Sequence, residues 1–157
     1  MLNAYWAKVV PVVGAEDGMI ERFAGDAVMV VFNAAADQPD HALRAARAAL
    51  AFADASKAVA AGRPDWPRFR VGVNSGPAVI GNVGAAEQHS FTAIGDTTNL
   101  AARLQAAAEP GRVVIGSTTR AALAGVAMVE PLGPLDLKGK SEPVEAFVLI
   151  ELNRHSG

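Results

Sequence analysis

The sequence contains no cysteine, and it has only one tyrosine and two tryptophans among 157 residues. Without thiols, neither a disulfide framework nor a thiolate metal site can form. The formal net charge is only -2, which argues against a nucleic-acid partner, because nucleic acids select basic surfaces. No apolar run approaches the roughly 20 residues that cross a bilayer, and no signal-peptide pattern opens the chain. The sequence therefore predicts no membrane span and a cytoplasmic location.

What is present favours one domain with an ordinary core, since 51% of the residues are hydrophobic. Hairpins and helices alternate along the chain, which predicts an α/β protein built as an α+β sandwich with helices packed on a sheet. The predicted helices cover 2–13, 37–61, 97–109 and 117–124. The predicted strands cover 19–23, 27–32, 69–75, 78–83, 112–115, 126–129, 135–137 and 144–152.

The most informative stretch runs from 91 to 104, where a β-like run meets a glycine turn and then a helix. The helix carries Asn99 and Arg103 four residues apart, so both side chains share one face. An amide and a guanidinium so placed can hold a sugar oxygen and a phosphate. Arg103 alone is also consistent with an ordinary exposed helix position. Asparagine is a poor helix former, so the presence of Asn99 inside the helix is harder to explain by structure alone. Asp96 is predicted to cap this helix.

A second constellation is the predicted hairpin around Asp26. Gly25 precedes this aspartate in a tight turn, which leaves the carboxylate exposed at a strand end. Mg²⁺ prefers oxygen ligands, often one or two carboxylates together with nucleotide phosphates. Turn aspartates also commonly satisfy local amides, and the pattern alone slightly favours that interpretation. The apolar run at 27–32 predicts a strand buried on both faces.

These segments resemble the catalytic domain of class III nucleotide cyclases, the adenylyl and guanylyl cyclase family. The segment 137–140 (Leu-Lys-Gly-Lys) and the glycine-rich segments at 70–77 and 81–84 also match the family. The resemblance implies a ferredoxin-like α+β fold and conversion of ATP to 3′,5′-cyclic AMP and pyrophosphate with Mg²⁺ or Mn²⁺. The glycines are interpreted as architectural, because they permit close backbone approach.

The resemblance also implies catalytic roles for three residues. Asp26 matches the second metal-binding aspartate of the family, and this match outweighs the simpler turn interpretation. Asn99 is expected to orient the ribose, and Arg103 to hold a phosphate as its charge redistributes in the transition state.

Three further residues are implied in substrate binding. Arg22 stands where the family has a lysine that contacts adenine, and a solvated strand residue is an equally good interpretation. Thr92 stands where many members have an aspartate. A bacterial subgroup that includes bicarbonate-responsive adenylyl cyclases has threonine at this position, so Thr92 weakly favours ATP as the substrate. A β-branched strand residue is the competing interpretation. Lys138 is expected to meet the nucleotide phosphates.

The resemblance covers Leu2 to Leu152, and 153–157 is interpreted as a tail. In the family an opening strand and helix precede this region and supply the first metal aspartate, so we expect a truncated catalytic domain. Asp26 would then be the only carboxylate of the metal pair, so we expect the cyclase activity of the chain to be impaired. A sheet edge or cavity would also be exposed. A catalytically inactive pseudo-cyclase that serves as a dimerisation or nucleotide-binding module is the alternative.

Assembly follows from the same resemblance. Family members form their site between two subunits, so a homodimer, or a heterodimer with another cyclase domain, is expected. Arg22, Asp26 and Thr92 would come from one chain and Asn99 and Arg103 from the other. The first helix is expected to expose an apolar surface that includes Tyr5 and Trp6.

Overall fold

The computed structural model describes residues 1–34, 37–77, 79–83, 90–136 and 142–153. The helices of this part are α1 (Leu2–Ala15), α2 (His41–Ala60), α3 (Asp96–Ala107) and α4 (Ser117–Ala122). The strands are β1 (Met19–Ala24), β2 (Ala27–Val31), β3 (Val71–Val73), β4 (Val79–Val83), β5 (Ser90–Ile94), β6 (Val113–Gly116), β7 (Ala127–Leu135) and β8 (Val144–Leu152). None of these helices has the length and apolarity needed to cross a bilayer.

The central sheet has the strand order β3-β6-β8-β7, with β3 parallel to β6 and the other neighbours antiparallel. Every residue of β6 is buried, and its side chains alternate between two cores. Val113 and Ile115 pack with the alanine-rich face of α2, whereas Val114 packs with Leu104 of α3. Helices therefore cover both faces of the sheet, which confirms the predicted α+β sandwich.

The hairpin of β1 and β2 forms its own two-stranded sheet and packs with α1 and α2. The prediction that β2 is buried on both faces is wrong, because Ala27 is exposed and the following residues are half-buried. Tyr5 is also not part of an exposed surface. It is fully buried, and its ring stacks on Phe69 with centroids 4.8 Å apart. Phe23 is the exposed aromatic residue, 49% accessible, and its ring meets the edge of Trp6.

Two local predictions are corrected by the structure. In place of two strands at 126–129 and 135–137, the structure has one strand, β7 (Ala127–Leu135), which continues through an irregularity near Gly133 at a φ of +96°. Residue 137 lies outside the described residues. Asp96 does not cap α3: the cap position is Gly95, and Asp96 is the first helical residue. A carboxylate is still favourable there, because the helix N-terminus carries partial positive charge.

The expected open sheet edge is present. Within the described residues, β3 pairs with β6 alone and β2 with β1 alone. An apolar cleft lies between these two strands, and Val28, Val30, Val71 and Val73 line part of it. The fold thus brings the β1–β2 hairpin, β3 and the beginning of α3 around a single opening.

Candidate functional site

The cleft has a volume of about 1050 Å³ and is bounded by the β1–β2 hairpin, α2, the segment 67–76 and the first turns of α3. Pockets that bind drug-sized ligands range from roughly 300 to 1,000 Å³, so this cleft is at the upper end of that range. Its lining includes Arg22, Asp26 and Asn99. Three of the residues predicted from sequence therefore line the same cleft.

Asp26 lies at the tip of the hairpin because Gly25 makes the preceding turn. Gly25 has a φ of +61°, a left-handed conformation that glycine adopts without steric cost. Asp26 is exposed and is the only carboxylate lining the cleft in the described part of the chain. No group of three or more metal-ligating side chains occurs in that part either. These residues fit a Mg²⁺ or Mn²⁺ ion held by one carboxylate and, for the rest, by nucleotide phosphates.

Arg22 lies on β1, four residues before the turn aspartate, with a side chain that is 63% exposed. Its Nε lies 3.2 Å from Oε2 of Glu21, whose own side chain is only 4% exposed. The Glu21 oxygen is buried and has no hydrogen-bond partner among the described residues. The sequence analysis did not single out Glu21.

The start of α3 is tied to the loop after β3. Gly95 adopts a φ of +133°, which lets the chain turn from β5 into the helix. The Asn74 side-chain amide donates to the carbonyl oxygen of Thr97 at 3.1 Å, and the Thr97 hydroxyl donates to the carbonyl oxygen of Pro77 at 2.6 Å. Asn99, two residues later, is therefore carried by a helix end fixed on both sides.

Asn99 and Arg103 do not have equivalent positions. Asn99 is exposed and lines the cleft, whereas Arg103, one turn later, is half-buried and is not among the lining residues. Thr92 lies in β5 opposite Gly81 of β4, and β5 packs against β1. Lys138 lies outside the described residues.

Sequence reasoning missed two cations at the cleft. Arg68 and Arg70 are both exposed and line it, on either side of Phe69, which packs inward with Val9 and Phe52. Alternation along an extended segment places these two arginines on the face opposite the phenyl ring. The alternation of arginine and phenylalanine at 68–70 could have predicted this placement from the sequence, but Arg70 was interpreted only as part of a structural segment. Together with Arg22 they make the charged side chains of this otherwise apolar lining predominantly positive, which suits a polyanionic ligand.

Comparisons with known proteins identify the family of the chain. The family model for the adenylate and guanylate cyclase catalytic domain matches residues 1–151. Adenylate cyclase 1 of Rhizobium meliloti is 35% identical over 98% of this chain, and the chain spans 24% of that relative's length.

Solved structures of cyclases match as well. The adenylyl cyclase CyaB of P. aeruginosa matches with a TM-score of 0.84 and 30% identity, over 99% of this chain and 83% of that one. The guanylate cyclase domain of RhGC from Catenaria anguillulae, solved with GTP, matches with a TM-score of 0.86 and 28% identity, over 97% and 82%. Because the family model covers nearly the whole chain, this protein belongs to the adenylate and guanylate cyclase catalytic-domain family.

Proposed function

We propose that this chain is a nucleotide cyclase domain of adenylyl type, which converts ATP to 3′,5′-cyclic AMP and pyrophosphate. The observation that carries the proposal is that Asp26, Arg22 and Asn99 line one cleft, in a chain of the cyclase family. The 35% identity to an adenylate cyclase favours ATP. The proposal includes a cytoplasmic location, where nucleoside triphosphates are available.

The reaction joins the ribose 3′-oxygen to the α-phosphorus and breaks the bond from that phosphorus to pyrophosphate. The protein forms no covalent bond to the substrate in this reaction, so it accelerates the reaction by positioning the reacting groups and stabilising charge. Asn99 orients the ribose, and Arg103 stabilises charge on the phosphate in the transition state. A Mg²⁺ or Mn²⁺ ion, when held by Asp26 and the phosphates, neutralises phosphate charge.

The other residues bind the substrate. Arg22 and Thr92 contact the purine from neighbouring strands, since β1 packs against β5. Lys138 and Arg70 hold the phosphates. Arg103 does not line the cleft of its own chain. This supports an arrangement in which two copies, or one copy and another cyclase domain, complete the site between them.

The test measures cyclic nucleotide made by the purified chain from ATP or GTP with Mn²⁺. We expect little cyclic AMP from the chain alone, because Asp26 is the only carboxylate that lines the cleft among the described residues. Arg103→Ala should lower the measured rate by about 10³-fold or more, the scale of a transition-state arginine in phosphoryl transfer. Asp26→Asn should also abolish turnover. Asp65→Asn is the matched control, because Asp65 is exposed and does not line the cleft. Turnover that survives Arg103→Ala would contradict the proposed mechanism.

The alternative is a catalytically inactive module that pairs with a complete cyclase. The observation that favours it is the single carboxylate among the described lining residues of the cleft, since two-metal catalysis needs more acidic ligands. This module would bind nucleotide without turning it over alone. Mixed with a cyclase whose own asparagine and arginine are disabled, it should restore activity, and Arg103→Ala in this chain should remove the rescue.

A further inference from the structure

A fully buried threonine lies behind the loop that follows β3. Thr119 of α4 is 0% exposed, and its hydroxyl oxygen lies 2.9 Å from the hydroxyl oxygen of Ser75, which is a hydrogen-bonding distance. Ser75 is half-buried and lines the cleft, whereas Thr119 does not line it. The hydrogen bond therefore joins the wall of the cleft to a helix that takes no part in the lining.

The helix α4 is a firm support for this hydrogen bond. Leu123, which caps α4 at its C-terminal end, is 1% exposed and packs in one core cluster with the alanines of α2. The guanidinium carbon of Arg120 lies 4.9 Å from the centre of the Phe147 ring on β8, a cation–π contact. Two contacts with different elements thus anchor α4, so the core sets the position of the Thr119 hydroxyl.

The loop that Ser75 holds in turn holds α3. The side-chain amide of the neighbouring Asn74 donates to the carbonyl oxygen of Thr97 at 3.1 Å. Asn74 has little room to move, because a Cβ atom built on Gly116, where β6 ends and α4 begins, would lie 2.7 Å from its Oδ1. A series of short contacts therefore runs from α4 through this loop to the first turn of α3, which carries Asn99.

We propose that Thr119 is a positioning residue for the nucleotide site. Through Ser75 its hydroxyl fixes the loop after β3, and through that loop it fixes the first turn of α3. Residues 74–77 belong to neither a helix nor a strand, so they lack the regular backbone hydrogen bonds of such an element, and side-chain contacts take on that role. The inference rests on the proposed function, because that function assigns the ribose to Asn99.

The test is calorimetric titration of the full chain with Mn²⁺ and α,β-methylene-ATP, in which a carbon bridge blocks the release of pyrophosphate and therefore cyclisation. Thr119→Val keeps the shape of the side chain and removes its hydroxyl. We expect this variant to weaken nucleotide binding about tenfold, the scale of coupling within one hydrogen-bonded network. Thr119→Ser keeps the hydroxyl and should bind the nucleotide as the wild-type chain does.

Ser56→Ala is the matched control. Ser56 carries another fully buried hydroxyl, which donates to the carbonyl oxygen of Ala53 at 2.9 Å within α2, and it does not line the cleft. Urea denaturation compares what Ser56→Ala and Thr119→Val do to stability, whereas only Thr119→Val should weaken nucleotide binding. A merely structural role for Thr119 would change the midpoint of unfolding and leave the dissociation constant of the folded chain unchanged.

Two further variants trace the path to the site. Ser75→Ala breaks the same hydrogen bond from the other side, so combined with Thr119→Val it should weaken binding no more than either variant alone. In a chain that carries Asn99→Ala, both variants should have little further effect, because the contact that the loop positions is already lost. Ser75→Ala changes a half-buried side chain, so its effect with and without Asn99→Ala tests the path even where Thr119→Val fails to fold.

The outcomes separate the two hypotheses. A wild-type chain that does not bind the nucleotide overturns the proposed function, and this inference with it. Binding by the wild-type chain that Thr119→Val leaves unchanged, or losses that add between Ser75→Ala and either of its partners in these combinations, overturns the inference alone. Loss of binding with Thr119→Val, its recovery with Thr119→Ser and non-additive losses in the combined variants support it.

Discussion

Gly72 on β3 is where the sheet and α3 approach most closely, and a single methyl group there should move the helix. A Cβ atom built on Gly72 would lie 2.3 Å from the backbone nitrogen of Gln105 and 2.4 Å from the carbonyl oxygen of Ala101. Ordinary contact begins at 3.4 Å, so α3 must retreat by about 1 Å. Both obstacles are backbone atoms, so no side-chain rotation can relieve the clash.

We expect Gly72→Ala to lower the free energy of unfolding by about 1–3 kcal/mol, the usual cost of overpacking a core. The same shift moves Asn99, and a misplacement of about 1 Å can reduce a rate on the order of 100-fold. Urea denaturation measures the first effect, and cyclic nucleotide production or nucleotide titration the second.

Gly14→Ala provides the control. Gly14 lies inside α1, and a Cβ atom there meets nothing within 4 Å. Alanine should therefore stabilise the chain by about 0.5–1 kcal/mol, because glycine loses more conformational entropy in a helix. The close approach of α3 to β3 would be refuted if the Gly72→Ala variant unfolded at the same urea concentration as the wild-type chain and bound nucleotide equally well.

Three further predictions concern single contacts. Asn74→Ala removes the 3.1 Å hydrogen bond to Thr97, so it should cost about 1 kcal/mol in urea denaturation and also weaken nucleotide binding. The side-chain hydrogen bond from Arg44 lowers the pKa of Asp40 in the folded chain. The ionised Asp40 therefore stabilises the fold above its ordinary pKa, and this stabilisation is lost as the pH falls through the lowered pKa. Asp40→Asn should reduce the loss of stability below about pH 4. Burial raises the pKa of Tyr5, so folding favours the neutral phenol; stability should fall as pH rises above about 10, and Tyr5→Phe should remove that fall.

The sequence predicted the elements whose signals are local. A glycine followed by aspartate between two apolar runs indicated the β1–β2 turn, and the structure places Asp26 at its tip. The period of apolar residues indicated α1 and α2 to within a few residues at each end. β7 was harder, because Pro131 and Gly133 punctuate it and turn residues normally end a strand. Pairing with β8 along the whole length overrides that local preference.

Properties that depend on distant packing could not be predicted. The burial of Tyr5 depends on Phe69, which is 64 positions along the chain and whose place beside α1 only the fold determines. The pairing of Glu21 with Arg22 depends on a bulge, and two adjacent residues of a regular strand would have been assigned to opposite faces.

The segment from Arg70 to Pro77 connects the parts of the proposed site mechanically. Its first residue lines the cleft as a cation, Gly72 supports α3 directly, and Asn74 and Pro77 hold both polar groups of Thr97. A change anywhere in this segment is therefore expected to move Arg70 and the start of α3 together. Since β3 pairs in parallel with the wholly buried β6 on its other side, the central sheet positions both Arg70 and α3. Preorganisation of this kind is what a reaction that relies on positioning requires.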